Sequence, residues 1–373
     1  MNIHQTLALL GGITPADFMQ HYWQKKPLLI RQAIAGFQPL LSRAELLQLA
    51  EQDDVESRLV VQAAHWSMKQ GPFTRKSLPP FKQPGWTVLV QGVDLLHDEV
   101  HALMQQFRFV PDARLDDVMI SFATDGGGVG PHFDSYDVFL LQAQGRRHWR
   151  IGRQTDLTLQ PDVPLKILAN FEPEEEFVLE PGDMLYLPPR YAHDGVAKGE
   201  CMTYSIGFRA PSTEELQREI LQRLIQSDLQ DVPVLYQDPQ QPAVVESGAI
   251  PAALAQFTVS AVQAALQDPL AVARALGEYL TDPKPNVWFE AGEEEDAPDD
   301  YQRIALDRKT RMMFDAKHIF INGESFIASG LDAQLMQQMA NDRSLKAVDV
   351  IRLTGPAKEI LCQWCEDGWA SYV

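Results

Sequence analysis

Residues 117–151 read DVMISFATDGGGVGPHFDSYDVFLLQAQGRRHWRI, and the parsing of this stretch decides the fold. Side chains alternate between the two faces of a strand, so an extended His132-Phe133-Asp134 projects an imidazole and a carboxylate from one side, spaced to chelate a single cation. A bare HxD is also found as a hydrogen-bonded surface pair. The candidate third ligand is His193, which closes the run EPGDMLYLPPRYAH (180–193), where an apolar strand delivers a histidine at its far end. Two imidazoles and one carboxylate on one side of a metal leave the opposite positions open, as in non-haem Fe(II) oxygenases, whereas a structural zinc site is closed.

Gly145 ends an apolar strand, Val138 to Gln142. The strand after it alternates Arg147, Trp149 and Ile151, the inward set, with Arg146, His148 and Arg150. Arg147 therefore enters the interior, where an unpaired charge costs several kcal/mol (order of magnitude) and needs an anion. Its own strand offers no acid. Either a carboxylate from another strand neutralises it, or a dicarboxylate such as 2-oxoglutarate does, with the keto-acid end on the metal and the distal carboxylate on the guanidinium. Upstream, Asp117, Met119 and Ser121 oppose the apolar Val118, Ile120 and Phe122; a mixed face with an acid at its mouth reads as a pocket wall or as a solvent-facing surface. Only alternation selects Asp117 over Asp116. Downstream, Thr203, Ser205 and Gly207 form a small polar face that fits a pocket lining. The loop Gly126-Gly127-Gly128-Val129-Gly130 lacks the Lys-Ser/Thr of a phosphate-cradling loop, which argues against a nucleotide site; a flexible approach to the metal strand is expected instead.

The segments GGGVGPHFDSYDVF (126–139), GRRHWRIG (145–152), LEPGDMLYLPPRYAHDG (179–195) and YSIGFRAP (204–211) resemble the bacterial JmjC-domain ribosomal oxygenases of the cupin superfamily, which hydroxylate an arginine of large-subunit ribosomal protein sixteen. The resemblance covers most of residues 1–210. It implies an α+β chain: a double-stranded β-helix catalytic domain (1–210), a helical dimerisation domain (211–289) and a winged-helix-like domain (301–373). It implies Fe(II) on His132, Asp134 and His193, and 2-oxoglutarate held by Arg147, with Ser121 and Thr203 beside it. A substrate arginine needs an acid and a flat wall, which Asp117 and Tyr136 supply, joined by Ser205 and Met119. Tyr136 shares the face of His132 and Asp134, although a core aromatic fits the same spacing.

A chain of 373 residues, 45% of them hydrophobic, suggests two or three domains. Its net charge, 32 − 51 = −19, disfavours a partner bound through phosphates and favours a basic protein such as a ribosomal protein. No apolar run reaches the roughly 18 residues of a membrane span, and no positive charge precedes the short apolar run at the amino terminus. A cytoplasmic location is expected, and three cysteines fit a reducing compartment. Cys362 and Cys365 form a lone CxxC in a helical pattern, better read as core-facing than as a metal site.

Capped helices are expected from Thr14-Pro15 and from the box Ser42/Glu45, then strands over 57–62 and 86–93, a helix over 95–107 and a loop over 66–85. The acidic tract Glu172 to Glu176 reads as a solvated loop or as an attractor for a basic substrate. A box Ser212/Glu215 opens a helix with Leu216, Ile220, Leu224 and Ile225 at core spacing. Two more helical runs follow to 281. Three such helices make a poor core alone, and burial against a second copy, a homodimer, is expected. An acidic linker spans 290–300, and an Asn322-Gly323 turn opens a hairpin. Residues 301–373 balance nine basic with nine acidic residues, which does not favour direct nucleic-acid binding. Other readings compatible with these residues are a cupin metalloenzyme that is not an oxygenase, a related peptidyl-histidine hydroxylase or lysine demethylase, and a non-catalytic binding module.

Overall fold

The computed structural model describes residues 2–227, 235–243, 250–291 and 303–373 and divides into two compact units on either side of the Ala210–Pro211 bond. In the first, helix α1 (Pro15–His21) starts where the Thr14 side chain accepts the Asp17 amide at 3.0 Å. Strand β1 (Leu28–Ile30) is followed by α2 (Arg43–Leu49), whose Ser42 and Glu45 satisfy each other's amides reciprocally. Next come β2 (Ser57–Gln62), β3 (Trp66–Gln70), β4 (Trp86–Val90) and α3 (Asp98–Gln105). The chain then runs through β5 (Leu115–Ala123), β6 (Val138–Gly152), β7 (Glu175–Leu179), β8 (Met184–Leu187) and β9 (Ala192–Phe208). The nine strands form one sheet in the order β1-β8-β6-β9-β5-β4-β2-β3, with β7 also on β6. The segment 66–85, expected as loop, thus begins with a strand that borders β2.

Two long strands make this sheet a double-stranded β-helix. Val138–Leu141 of β6 pairs with β8, while Arg147–Ile151 pairs with β7, so one strand serves two ladders. β9 follows β6 throughout, and its second half, from Cys201, also pairs with β5. The change of direction falls at Gln142–Arg146, where the register shifts twice. Gly145 is the pivot: its φ is +64°, and a Cβ there would lie 2.1 Å from the Glu200 carbonyl oxygen. The expected break at Gly145 is therefore a corner within a continuous fifteen-residue strand.

The main core forms where Val118, Ile120 and Phe122 of β5 and Met202, Tyr204, Ile206 and Phe208 of β9 meet Phe18, Trp23, Leu46 and Phe107 of the helical layer. Burial of each large side chain contributes about 2 kcal/mol. A smaller cluster holds Leu140, Trp149, Ile151, Leu179 and Tyr191.

The turn into β8 is organised by Asp183, a buried carboxylate that accepts from the Gln32 amide (2.9 Å), the Glu180 amide (3.1 Å) and Arg31 Nη1 (2.6 Å). Burial works to raise its pKa, but these donors together hold it below the usual carboxylate range. A depressed folded pKa stabilises above the unfolded value and is lost as pH falls through the folded one. Asp183→Ala is expected to cost about 2–3 kcal/mol in urea unfolding at neutral pH, with the gap to wild type narrowing below the ordinary carboxylate range.

In the second unit, α4 (Thr213–Ser227) is closed by Ser212 and Glu215, and α5 (Ala252–Ala265) and α6 (Pro269–Thr281) follow. Leu224 is buried, but Ile225, expected on the same core stripe, is 67% exposed. α6 packs against α4 and against the sheet of β11 (Met312–Phe314), β12 (His318–Ile321) and β13 (Glu324–Ile327). A separate small sheet joins β10 (Ile304–Leu306), β14 (Ser344–Leu345) and β15 (Ala370–Tyr372). Asn322 and Gly323 both take positive φ, as a type I′ hairpin requires. Helices α7 (Gly330–Asp342), α8 (Ala347–Val350) and α9 (Gly355–Glu366) enclose a core around Met339, Leu361 and Trp364. The cysteines of α9 are both half-buried thiols; Cys365 packs on that core, and Cys362 Sγ lies 3.7 Å from the Tyr372 hydroxyl. The expected acidic linker lies outside the described residues from 292 onward.

Candidate metal centre

His132 and Asp134 do not sit on a regular strand, as the alternation had suggested. In the segment between β5 and β6, His132 meets β9 in an isolated bridge to His193, with amide-to-carbonyl distances of 3.0 and 2.8 Å. Phe133 and Asp134 then leave the ladder, and the Asp134 carbonyl accepts the Arg190 amide at 2.7 Å. The glycine loop before them is wedged rather than loose: Gly126 and Gly127 bond to both sides of Ala197, and a Cβ on Gly128 would lie 2.6 Å from the Gly195 carbonyl oxygen. His193 is the second residue of β9, past the turn that follows β8, rather than the end of an apolar strand.

The three side chains converge. A ligand atom from each of His132, Asp134 and His193 lies within 4.8 Å of the others. His193 Nε2 is 3.6 Å from Asp134 Oδ2, and the two imidazole centroids are 4.2 Å apart. Donors bound to one ion at about 2.1 Å sit roughly 3 Å apart, so modest closure completes the set. Each Nδ1 faces a backbone carbonyl two residues back, His132 to Gly130 at 2.9 Å and His193 to Tyr191 at 3.0 Å. A carbonyl only accepts, so Nδ1 carries the proton in both rings and Nε2 keeps its lone pair for the centre. Burial, then the neighbouring His132, pushes His193 down to about 4, which leaves it a neutral ligand at neutral pH.

Arg147 is buried, 4% exposed. Nη1 donates to the Gly195 carbonyl at 3.3 Å, two residues beyond His193, while Nε and Nη2 find no partner among the described residues. Its guanidinium lies 5.8 Å from the Trp149 ring, itself 5.8 Å from the His193 ring. Nearby acids are spent on the opposite face: Glu176 meets His148 at 3.0 Å and Asp194 meets Arg150 at 2.5 Å. The side chain thus keeps a buried, unsatisfied pair of donors of the kind a carboxylate fills.

The inner faces of β5 and β9 run in register, Ser121 beside Thr203 and Met119 beside Ser205. Thr203 Oγ1 lies 3.2 Å from Gln142 Oε1, and Ser121 Oγ 3.4 Å from the Thr203 carbonyl oxygen. Asp117 is buried, 3% exposed, whereas Asp116 is half-exposed. Asp117 Oδ2 accepts from Gln91 Nε2 at 2.7 Å and from the Gly92 amide at 3.1 Å. Tyr136 is 40% exposed, and burial of its hydroxyl, then Asp134 and Asp117, pushes the phenol well above its ordinary pKa, so it stays neutral. Sequence reasoning missed Gln91, Arg58 and Gln142: each is a polar residue within or just after an apolar run, and nothing local names its partner.

Known proteins match this architecture part by part. The JmjC domain family matches residues 102–216 and the ROXA-like winged helix family residues 264–371. An X-ray structure of Escherichia coli YcfD superposes with a TM-score of 0.83 and 30% identity, over 96% of this chain and 98% of that one. The chain belongs to the JmjC-domain ribosomal oxygenases. A structure of the E. coli ribosomal oxygenase YcfD in complex with cobalt and 2-oxoglutarate matches at a TM-score of 0.81 and 29% identity, covering 96% and 97% of the two chains. The ribosomal protein uL16 3-hydroxylase of E. coli K12 is 42% identical over 230 residues, 61% of this chain and 60% of that protein, so this alignment spans less than two thirds of the relative. Among the described residues no helix is long and apolar enough to cross a membrane.

Proposed function

We propose that this member of the oxygenase family uses Fe(II) and 2-oxoglutarate to hydroxylate an arginine side chain of a basic large-subunit ribosomal protein, the sixteenth. One observation carries the reading: a buried arginine with two unpartnered donors, Nε and Nη2, close to a His-Asp-His group whose Nε2 atoms are ready to ligate. His132, Asp134 and His193 would hold the iron, and Arg147, with Ser121 and Thr203 on the neighbouring wall, would hold 2-oxoglutarate. When bound, iron, 2-oxoglutarate and O₂ together supply the chemistry: the keto acid is decarboxylated to succinate and an unactivated C–H bond becomes C–OH.

The chain's own part is recognition and shielding. Asp117 anchors the substrate guanidinium, Tyr136 packs on its plane, and Ser205 and Met119 complete the wall. An acid here favours a cationic target over the imidazole of a histidyl hydroxylase. The uL16 3-hydroxylase relative supports the choice of ribosomal protein. Exposed Val259 and Val262 on α5, Leu266 just after it and Leu270 on α6 support a homodimer formed through 211–289, with 301–373 as the winged-helix-like domain. A cytoplasmic location and no direct nucleic-acid binding complete the proposal.

The test incubates the protein with Fe(II), 2-oxoglutarate and purified ribosomal proteins. Succinate should form together with a gain of about 16 Da, one oxygen atom, on a single protein, and fragmentation should place it on an arginine. A gain on histidine alone overturns the target; no succinate overturns the activity.

A further inference from the structure

The support beneath Asp117 contains a cation that ought to compete with the substrate. Gln91, the residue just after β4, donates Nε2 to Asp117 Oδ2 at 2.7 Å, and its Oε1 accepts from Arg58 Nη2 of β2 at 3.3 Å. The same Nη2 lies 3.7 Å from Met119 Sδ, on the face that carries Asp117. Both partners fix the amide in one orientation. Turning it over would set its carbonyl against a carboxylate and its NH₂ against a guanidinium. Arg58 is half-buried, and among the described residues its side chain makes polar contacts within hydrogen-bond distance with Gln91 and Met119. It therefore reaches the acid through one amide group rather than directly.

A resident guanidinium and a substrate guanidinium present the same planar fork to a carboxylate. Whichever pairs with Asp117 first excludes the other. We propose that Gln91 is a positioning residue, an amide spacer that holds Arg58 off Asp117 and so reserves that acid for the incoming arginine. The inference rests on the reading of Asp117 as the substrate's anchor. If it holds, shortening Gln91 releases Arg58 onto Asp117, and the pocket spends much of its time in a self-paired, binding-incompetent form.

The experiment compares wild type, Gln91→Ala, Arg58→Met and the double variant, with KM for the ribosomal protein substrate and kcat measured separately. A pocket competent one-tenth of the time raises apparent KM about tenfold. Gln91→Ala should show that rise with kcat changed less than about threefold, and Arg58→Met in the Gln91→Ala background should restore KM toward wild type. Arg58→Met alone should not weaken substrate binding. Rescue is the deciding readout, because a merely structural loss at Gln91 would not be repaired by removing a second side chain. If Gln91→Ala does not fold, Gln91→Met replaces it, keeping length while removing both amide groups. A double variant as impaired as Gln91→Ala overturns the spacer while leaving the anchor intact. Asp117→Asn with unchanged KM overturns the anchor reading itself, and with it this inference.

Discussion

His193→Ala is expected to leave a protein that retains no stoichiometric iron and forms succinate at least about 10³-fold more slowly than wild type. One of three donors disappears, and the two that remain come from a loop tied to β9 by the His132–His193 bridge and the Gly126 and Gly127 bonds to Ala197, and to the turn before β9 by the Arg190 amide. Losing a supporting partner of a ligand typically costs 10–100-fold in metal affinity, and losing the ligand itself costs more. Stability should change far less than activity. The imidazole is buried and neutral, its Nδ1 proton is held by the Tyr191 carbonyl, and truncation opens a cavity worth about 2–3 kcal/mol. Metal content by elemental analysis and succinate by mass spectrometry check the two parts. Full iron retention in a folded variant would remove His193 from the ligand set.

Arg147→Met separates stability from function in opposite directions. The guanidinium is 4% exposed with two donors unpartnered, and a buried, unpaired charge is costly to keep. A side chain of similar length without charge should therefore raise the stability of the ligand-free protein by about 1–3 kcal/mol, read as a higher midpoint in denaturant. The same change should lower turnover about 10³-fold at fixed 2-oxoglutarate, since the distal carboxylate loses its bidentate partner. It should also abolish thermal stabilisation by the cosubstrate. For wild type, ligand at 100 times its Kd contributes about 2.7 kcal/mol to folding, a shift of several degrees. A variant that still shows that shift would place the 2-oxoglutarate carboxylate elsewhere.

Much of the site was legible because strand periodicity is strict. The alternation over 146–151 sent Arg147, Trp149 and Ile151 inward, and these are the buried members of that set. Caps at Thr14, Ser42 and Ser212 were also readable, because each depends on residues three positions apart. What stayed hidden depends on partners distant in sequence. The loop carrying His132 and Asp134 looks like a strand locally, and only the wedge of glycines against β9 takes it out of the ladder. Gln91 and Arg58 are separated by 33 positions and meet through the pairing of β2 with β4, which no local pattern announces. Ile225 failed for the opposite reason, since helical spacing alone gives no lateral limit to a buried stripe.

The corner at Gly145 constrains how this chain can drift in length. Inserting or deleting a single residue between Gln142 and Arg146 would exchange the two sides of the strand beyond it, sending Arg147 out into water and bringing Arg146, His148 and Arg150 under the roof. Tolerated changes there come in even steps. A few residues at one bend of β6 thus set the parity that decides whether Arg147, the proposed cosubstrate grip, faces the interior.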